Sequence, residues 1–364
     1  MTTIIHCADL HLTAGDEREY SLSVFGEIID LVKKKHADYL LICGDLFDSF
    51  DDAEELRGAV RSCVSDLPNS SKIIYIPGNH EELQKGGRSI ESLDLGFVKL
   101  CSEIPCKILP AEEGLEFLCI PHQETYAGYL NWEVPVKSND LRVALVHGLV
   151  SDMDIYAGPE SEEEGIIGAV DPDIFHRFEV DYAALGHIHS RHEKIFDDIP
   201  CHYPGSARTW RRGELGEHGI NIVTLDNEIT VDFVPLRSAG QYREYDIPLT
   251  FDGNCGEIDA IKREWTEYDW IVLNLGGVVE DENAVGEFED HLHRTLACVV
   301  RRLDIRRDGV QPLPGISSQP IAKKFLELLE SRKPGEGDIE SLRTWARARE
   351  MGLEQIADIL RGGG

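Results

Sequence analysis

The chain has no run of the ~18–20 apolar residues that a membrane span requires, no C-x-x-C pair, no internal repeat and, in residues 1–12, no lysine or arginine. The first absence excludes a bilayer-spanning helix. The last, with Asp9 and His11 standing where a secretion signal would need an apolar stretch, argues against export. Nine cysteines, an odd number, are scattered at 7, 43, 63, 101, 106, 119, 201, 255 and 298, several inside apolar runs such as Leu40-Leu41-Ile42-Cys43. That pattern reads as reduced, buried thiols in a cytosol, so a cytoplasmic protein is expected. Positive charge is also scarce: 36 Lys and Arg stand against 67 Asp and Glu, a net charge of −31. Bulk electrostatics would repel nucleic acid and acidic membranes. The shortfall is uneven, because residues 316–364 hold eight basic and eight acidic side chains and residues 1–315 carry the whole −31.

What is present describes a folded chain. Hydrophobic residues make up 42%, charged residues 28% and aromatics 8%, too apolar for disorder. A length of 364 residues predicts a catalytic-sized domain with smaller additions. Residues 3–7, 39–43, 72–76, 117–120 and 142–146 are short β-type runs, and amphipathic stretches lie between the first three. Leu22, Phe25, Ile28, Ile29 and Val32, for example, share one helical face. This order predicts α/β layering. Residues 195–234 turn to shorter β runs, and a boundary is expected near Ser238-Ala239-Gly240. Residues 241–312 have the strands and helix of a small α+β unit, including β runs at 270–275 and 298–305. Pro312, Pro314 and Gly315 read as a linker, followed in residues 313–364 by two helical patterns separated at residues 333–337. The stretch 152–173, with eight carboxylates and no lysine or arginine, reads as a solvated acidic loop.

Each β run of the first part ends in residue types that bind metal: Asp9-x-His11, Asp45 with Asp48, Asn79-His80, His147, and His187-x-His189. Imidazole and carboxylate together suit Mn, Fe or Zn, and no thiolate points to a structural zinc. Two ions ~3.5–4 Å apart would share a carboxylate and could activate water for an in-line phosphoryl displacement.

The set D-x-H, G-D-x-x-D, G-N-H-E, V-H-G and G-H-x-H resembles that of the calcineurin-like metallophosphoesterase superfamily over residues 1 to about 235. The resemblance implies a β-sandwich flanked by helices over residues 1–240. It implies one metal held by Asp9, His11, Asp45 and His189, and a second held by Asp45, Asn79, His147 and His187. It implies that His80 contacts the phosphoryl group and assists the leaving oxygen, with water or hydroxide between the metals as nucleophile. Asp48 stands where some branches carry a histidine that supports the catalytic one; here it orients a ligand or His80, or caps a turn. Cys7-Ala8-Asp9-Leu10-His11-Leu12, Gly44-Asp45-Leu46-Phe47-Asp48, Leu185-Gly186-His187-Ile188-His189 and Tyr203-Pro204-Gly205-Ser206 are most similar to the DNA-repair exonucleases of the SbcD type. Those are nuclease subunits of ATPase-driven break-processing complexes, which implies DNA as substrate, manganese as the metal (with Fe²⁺ or Zn²⁺ as alternatives), a homodimer, a capping domain at 241–312 and C-terminal helices that bind an SbcC-like coiled-coil ATPase. Phosphatase or small-molecule and cyclic-nucleotide phosphodiesterase activity on the same metals is the alternative enzyme, and a metal-binding scaffold that regulates an ATPase the alternative class.

Outside the metal set, Arg208, Trp210 and Arg211, in Arg208-Thr209-Trp210-Arg211-Arg212, could meet phosphates and stack on a base, or form a loop paired to Glu214 and Glu217. His122 either lines the cleft or is a satisfied loop histidine. His291-x-His293 mimics a ligand pair but lies in a helical pattern where residues two apart diverge, so it reads as surface. Phe325, Leu326, Leu328, Leu329, Leu342 and Trp345 either face a partner or pack on the cap.

Overall fold

The structure is a computed structural model describing residues 1–81, 89–111, 114–153, 169–251, 253–255, 258–315, 318–334 and 339–362. Most of the acidic stretch at 152–173, part of the 333–337 break and the side chain of Leu342 lie outside the described residues. Two compact units divide the chain, Met1–Gln241 and Tyr242–Gly364.

In chain order the first unit contains β1 (Thr2–Cys7), α1 (Arg18–Lys35), β2 (Tyr39–Cys43), α2 (Phe50–Ser65), β3 (Lys72–Ile76), β4 (Val98–Leu100), β5 (Lys107–Pro110), β6 (Leu115–Ile120), β7 (Leu141–His147), α3 (Asp173–Arg177), β8 (Tyr182–Gly186), β9 (His192–Phe196), β10 (Ile199–Tyr203), β11 (Gly219–Leu225) and β12 (Ile229–Pro235). All five β runs expected there are strands. They form two six-stranded sheets, β12-β11-β1-β2-β3-β4 and β5-β6-β7-β8-β10-β9. Within the first, β1, β2, β3 and β4 run parallel, and within the second β6, β7 and β8 do. Parallel strands covered on both faces carry near-continuous apolar runs, as Leu40-Leu41-Ile42-Cys43 in β2 shows. The shared core interleaves Ile4, Leu41 and Ile74 with Phe117, Cys119, Val143, Leu145 and Ala184. The other face of the second sheet packs Leu118, Val146, Ala183 and Leu185 on Ile174, Phe175 and Phe178.

The helices are set by local chemistry. In α1, Val24, Phe25, Ile28, Ile29 and Val32 form the buried stripe, Lys33, Lys34 and Lys35 sit at the negative end of the helix dipole, and His36 closes it in the left-handed conformation. Helix α2 starts at Ser49, whose hydroxyl accepts from the Asp52 N–H.

The second unit contains β13 (Tyr242–Pro248), α4 (Ile258–Ile261), β14 (Trp270–Val279), α5 (Glu282–Leu296), β15 (Arg302–Pro312), α6 (Pro320–Glu330) and α7 (Ile339–Gly362). Its three strands are parallel with β14 in the centre. Ile271, Leu273, Leu275 and Val279 of β14 pack on Val285, Phe288, Leu292 and Leu296 of α5. Strand β15 lies later than the 298–305 run, because the Arg301 and Arg302 N–H groups both bond to the Asp269 carbonyl and hold the chain in a turn first. A separate cluster joins Ala322, Leu353 and Ile356 of the two C-terminal helices to Phe251 and Val278, with Phe325 and Leu326 packed against it. Leu328 stays exposed, and the Trp345 indole N–H donates to the Leu329 carbonyl at 2.8 Å. His291 and His293 are both exposed on α5.

Candidate metal centre

Five parallel strands deliver the site, all from their carboxyl ends, where ligands of open α/β sheets collect. The loop after β1 carries Asp9 and His11, that after β2 Asp45 and Asp48, and that after β3 Asn79 and His80; His147 ends β7, and His187 and His189 follow β8. Two of these loops are zipped together by backbone bonds: Asp9 N–H to Gly44 O at 3.1 Å, His11 N–H to Asp45 O at 2.9 Å and Asp48 N–H to Leu12 O at 3.1 Å. The lock holds unusual backbone. Asp9, His11, Asp45 and His187 all adopt positive φ, at 51°, 45°, 48° and 106°, conformations that cost of order 1–3 kcal/mol each and persist only where surroundings impose them. Glycine is required alongside. A Cβ on Gly78 would lie 2.1 Å from Asp45 Oδ1, and one on Gly186 1.8 Å from the Cys43 carbonyl.

The side chains face one another. His11 Nε2 is 3.1 Å from His189 Nε2, and His147 Nε2 and His187 Nδ1 are 3.0 and 3.2 Å from Asn79 Oδ1. Asp45 Oδ2 is 3.4 Å from His147 Nε2 and 3.9 Å from His11 Nε2. Asp9 accepts the His187 N–H on both oxygens at 3.0 Å. Burial raises Asp9 to about 6 and lowers His11 to about 4 and His187 to about 3. Burial would also lower His147, but the Asp45 carboxylate outweighs it and lifts the ring to about 9. Burial works against ionised Asp45 too, yet His147 and the other rings hold it well below the usual carboxylate range. Buried carboxylates and converging imidazole lone pairs are costly unless a cation satisfies them. Asp9, His11 and His189 form one group whose ligand atoms lie within 4.8 Å of one another; His11, Asp45 and His80 form a second, and Asp9, Asp45 and His147 a third. This donor set fits divalent metal.

Residues 2–191, 190 of the 364, match the profile of the calcineurin-like phosphoesterase family. The chain belongs to that family. Calcineurin-like phosphoesterases use a dinuclear divalent metal site, and this chain is a metallophosphoesterase. It is 26% identical over 266 residues to the SbcD subunit of the SbcCD nuclease of Staphylococcus epidermidis, covering 64% of this chain and 69% of that one. It is 28% identical over 212 residues to the DNA double-strand break repair protein Mre11 of Saccharolobus solfataricus (54% and 52%). A cAMP/cGMP dual specificity phosphodiesterase of Mycobacterium tuberculosis is 24% identical over 266 residues (64% and 79%).

Around the phosphoesterase site, His80 is 19% exposed, its Nδ1 3.0 Å from the Asp48 carbonyl and 3.4 Å from Asp48 Oδ1, with its ring edge-on to His11 at 4.6 Å. Asp48 Oδ1 also lies 3.2 Å from His11 Nδ1, so one carboxylate touches both rings. His122 stands with its ring 6.0 Å from that of His147 and 6.2 Å from that of His187, and burial lowers it to about 4.

The basic segment is built differently from expectation. Arg208 faces inward, fully buried, with its guanidinium donating to the carbonyls of Leu10 and His11 and to Glu17. It holds the Asp9–His11 loop and does not meet phosphate, because a buried guanidinium must spend its donors on nearby acceptors. Trp210 lies parallel to the His11 ring at 5.6 Å, 9° between planes, and so backs that imidazole. Arg211 is half-buried beside it. Glu214, expected at most as a partner for the arginines, sits 2.6 Å from His189 Nδ1 and accepts the Trp210 and Arg211 N–H groups at 2.8 Å. Burial opposes its ionisation, but His189 holds it down at about 2. Glu81, the last residue of G-N-H-E, accepts the Phe47 N–H at 2.7 Å and the Gly78 N–H at 3.0 Å, tying two site loops together. The motif letter was the only signal for it.

Proposed function

We propose that this metallophosphoesterase is a two-metal DNA nuclease that acts on duplex ends in break repair with an SMC-like ATPase. The observation that carries the reading is the convergence of Asp9, His11, Asp45, Asn79, His147, His187 and His189 from five strand ends in a chain similar to an SbcCD nuclease subunit. Asp9, His11, Asp45 and His189 would hold one ion, and Asp45, Asn79, His147 and His187 the other. Mixed nitrogen and oxygen donors favour Mn²⁺, with Fe²⁺ or Zn²⁺ as alternatives. Bound metal would polarise the phosphoryl oxygens and make water a competent nucleophile. The chain's own residues do the rest. His80, with Nδ1 toward the Asp48 carbonyl, gives the departing oxygen its proton from Nε2, Asp48 fixes the His11 and His80 rings, and Arg211 steadies the DNA backbone. Divalent ions offset the −31 locally.

The nine unpaired cysteines, five of them buried, support a reducing, cytoplasmic setting. Ile321, Leu328, Met351 and Ile359 on α6 and α7 are each at least half exposed, which supports a partner-binding surface there for an SbcC-like ATPase. A homodimer belongs to the same reading.

The test is cleavage of end-labelled linear duplex DNA by the full chain with Mn²⁺, against Mg²⁺ and chelator, with a generic phosphodiester in parallel. His80→Ala should cut turnover roughly 10²–10⁴-fold while keeping the ion content. A second reading, a cyclic-nucleotide phosphodiesterase, rests on the Mycobacterium tuberculosis relative and on the acidic charge. Turnover of the generic ester or cyclic nucleotides with DNA intact at low salt would establish it instead.

A further inference from the structure

A sixth strand end reaches the metal centre. β6 runs parallel to β7 with Ile120 beside Val146, so the loop after it opens at the same carboxyl end as His147. That loop is held on two sides. The His122 N–H donates to the Pro77 carbonyl at 3.2 Å, just ahead of Gly78-Asn79-His80, and the Tyr126 hydroxyl donates to the His147 carbonyl at 2.6 Å. His122 itself is half-buried, its ring 6.0 Å from that of His147 at 79° and 6.2 Å from that of His187 at 26°. Those two imidazoles belong to the set that would hold one ion. His80 stands in a like relation to the other ion's set, its ring 4.6 Å from that of His11.

His122 is near the ligands without being grouped with them. It joins none of the clusters found among the described residues whose ligand atoms lie within 4.8 Å of one another. Its Nδ1 is buried with no hydrogen-bond partner, whereas Nε2 is unpaired and reached by solvent. A proton on Nδ1 would be a buried donor with no acceptor, the costlier kind of orphan, so the ring carries its N–H on Nε2. An imidazole fixed by its loop, unsatisfied within the fold and beside the ligands of a phosphoesterase calls for a partner from outside the chain. An anionic oxygen is the partner that an open N–H donor suits best.

We propose that His122 is a substrate-binding residue whose Nε2–H donates to a non-bridging phosphoryl oxygen on the His147 and His187 side of the centre. The proposal rests on the two-ion phosphoesterase reading and not on DNA as the substrate. The competing account, a loop histidine that only packs against two ligand rings, leaves Nε2–H without a use and predicts that substitution acts through the metal.

The experiment is equilibrium dialysis of the full chain, loaded with Mn²⁺, against radiolabelled inorganic phosphate, with a chelator-treated sample as the blank. His122→Phe keeps a ring in the loop and removes both nitrogens; it should weaken metal-dependent phosphate binding roughly 10–100-fold with the ion content and Mn²⁺ affinity of the parent. His122→Gln, whose amide N–H can stand near the position of Nε2–H, should recover most of that loss. His122→Ala replaces the Phe variant where its circular dichroism is altered. With bis(p-nitrophenyl) phosphate as a generic diester, kcat/KM should fall by a similar factor in the Phe variant and recover in the Gln variant. Phosphate affinity unchanged in the Phe and Ala variants would overturn the proposal. Loss of ions from those variants would overturn it too, by making His122 a ligand or a prop of His147 and His187, as would a two-ion parent chain that binds no phosphate. Duplex DNA left intact beside the expected phosphate and diester results would end the nuclease reading alone.

Discussion

The first unit buries sixteen of the seventeen buried polar or charged side chains among the described residues, and the second buries Asp269 alone. Asp269 is a closing device: it accepts the Thr266 N–H and hydroxyl and so shapes the turn into β14. The buried groups of the first unit include Asp9, His11, Asp45 and His147, which face each other and need something further to satisfy them. The backbones differ the same way. Every described non-glycine residue with positive φ lies in the first unit, four of them in the metal-site loops, whereas among the described residues of the second positive φ occurs only at Gly253, Gly277 and Gly315. A fold that spends stability on strained, polar strand ends does so where chemistry requires it; the second unit rests on an apolar sheet-on-helix core.

Removing the charge at the centre of the first unit breaks that contrast most severely. Asp45→Ala takes away the carboxylate facing His11 and His147. Both ions should be lost and turnover should fall at least about 10³-fold, the scale of several kcal/mol of lost charge stabilisation. Elemental analysis of the purified variant checks it; two tightly retained ions would refute a shared carboxylate. The matching change in the second unit is Leu273→Ala, fully buried in β14. It should cost about 2–5 kcal/mol in denaturant unfolding with the ion content unaltered, and metal loss there would show that the two kinds of burial are not separable. A milder probe is Glu214→Ala, which frees the His189 ring from its 2.6 Å partner. Metal affinity should drop roughly 10–100-fold in a competition titration, and unchanged affinity would make Glu214 only a turn residue.

The same contrast governs what the sequence discloses. β2 and β3 are legible because strands buried on both faces carry continuous apolar runs, and Asp9, His11, Asp45, His147, His187 and His189, which converge in the candidate metal centre, because they end or directly follow such runs. Glu81 and Glu214 escape because the groups they tie to the site, the Phe47 N–H and the His189 ring, lie 34 and 25 residues away in sequence, which leaves no spacing to read. Arg208 misleads because a cation next to Trp210 looks the same in sequence whether it points to solvent or to the carbonyls of Leu10 and His11. In the second unit β15 starts later than its apolar run suggests because the Arg301 and Arg302 N–H groups are held in a turn by the Asp269 carbonyl, a contact 32 residues away in sequence at its nearest that no local pattern announces. The short strands β4 and β5 carry too few residues to show any period at all.

The smallest expected effect concerns a buried histidine of the first unit that the metal centre does not use. His6 in β1 is fully buried, with Nδ1 3.1 Å from the Tyr182 hydroxyl and Nε2 3.1 Å from the Leu185 carbonyl. A neutral ring satisfies both, accepting from Tyr182 and donating to Leu185, so a second proton has no acceptor. Burial accordingly lowers its pKa from 6.5 to about 3. As pH falls below 6.5 the unfolded chain takes up a proton at His6 that the folded chain refuses until about pH 3, so stability from this residue is complete above 6.5 and declines through that window. At pH 5.5 the decline amounts to about 1.4 kcal/mol. His6→Gln should therefore lose less stability than the parent between pH 7 and 5.5, by about that amount, with both proteins unfolded in denaturant under chelator so that the metal-site histidines contribute equally to each. Parallel losses in the two proteins would mean that His6 is already protonated in the folded state and that its polar contacts, like those of the metal centre, await a counter-charge.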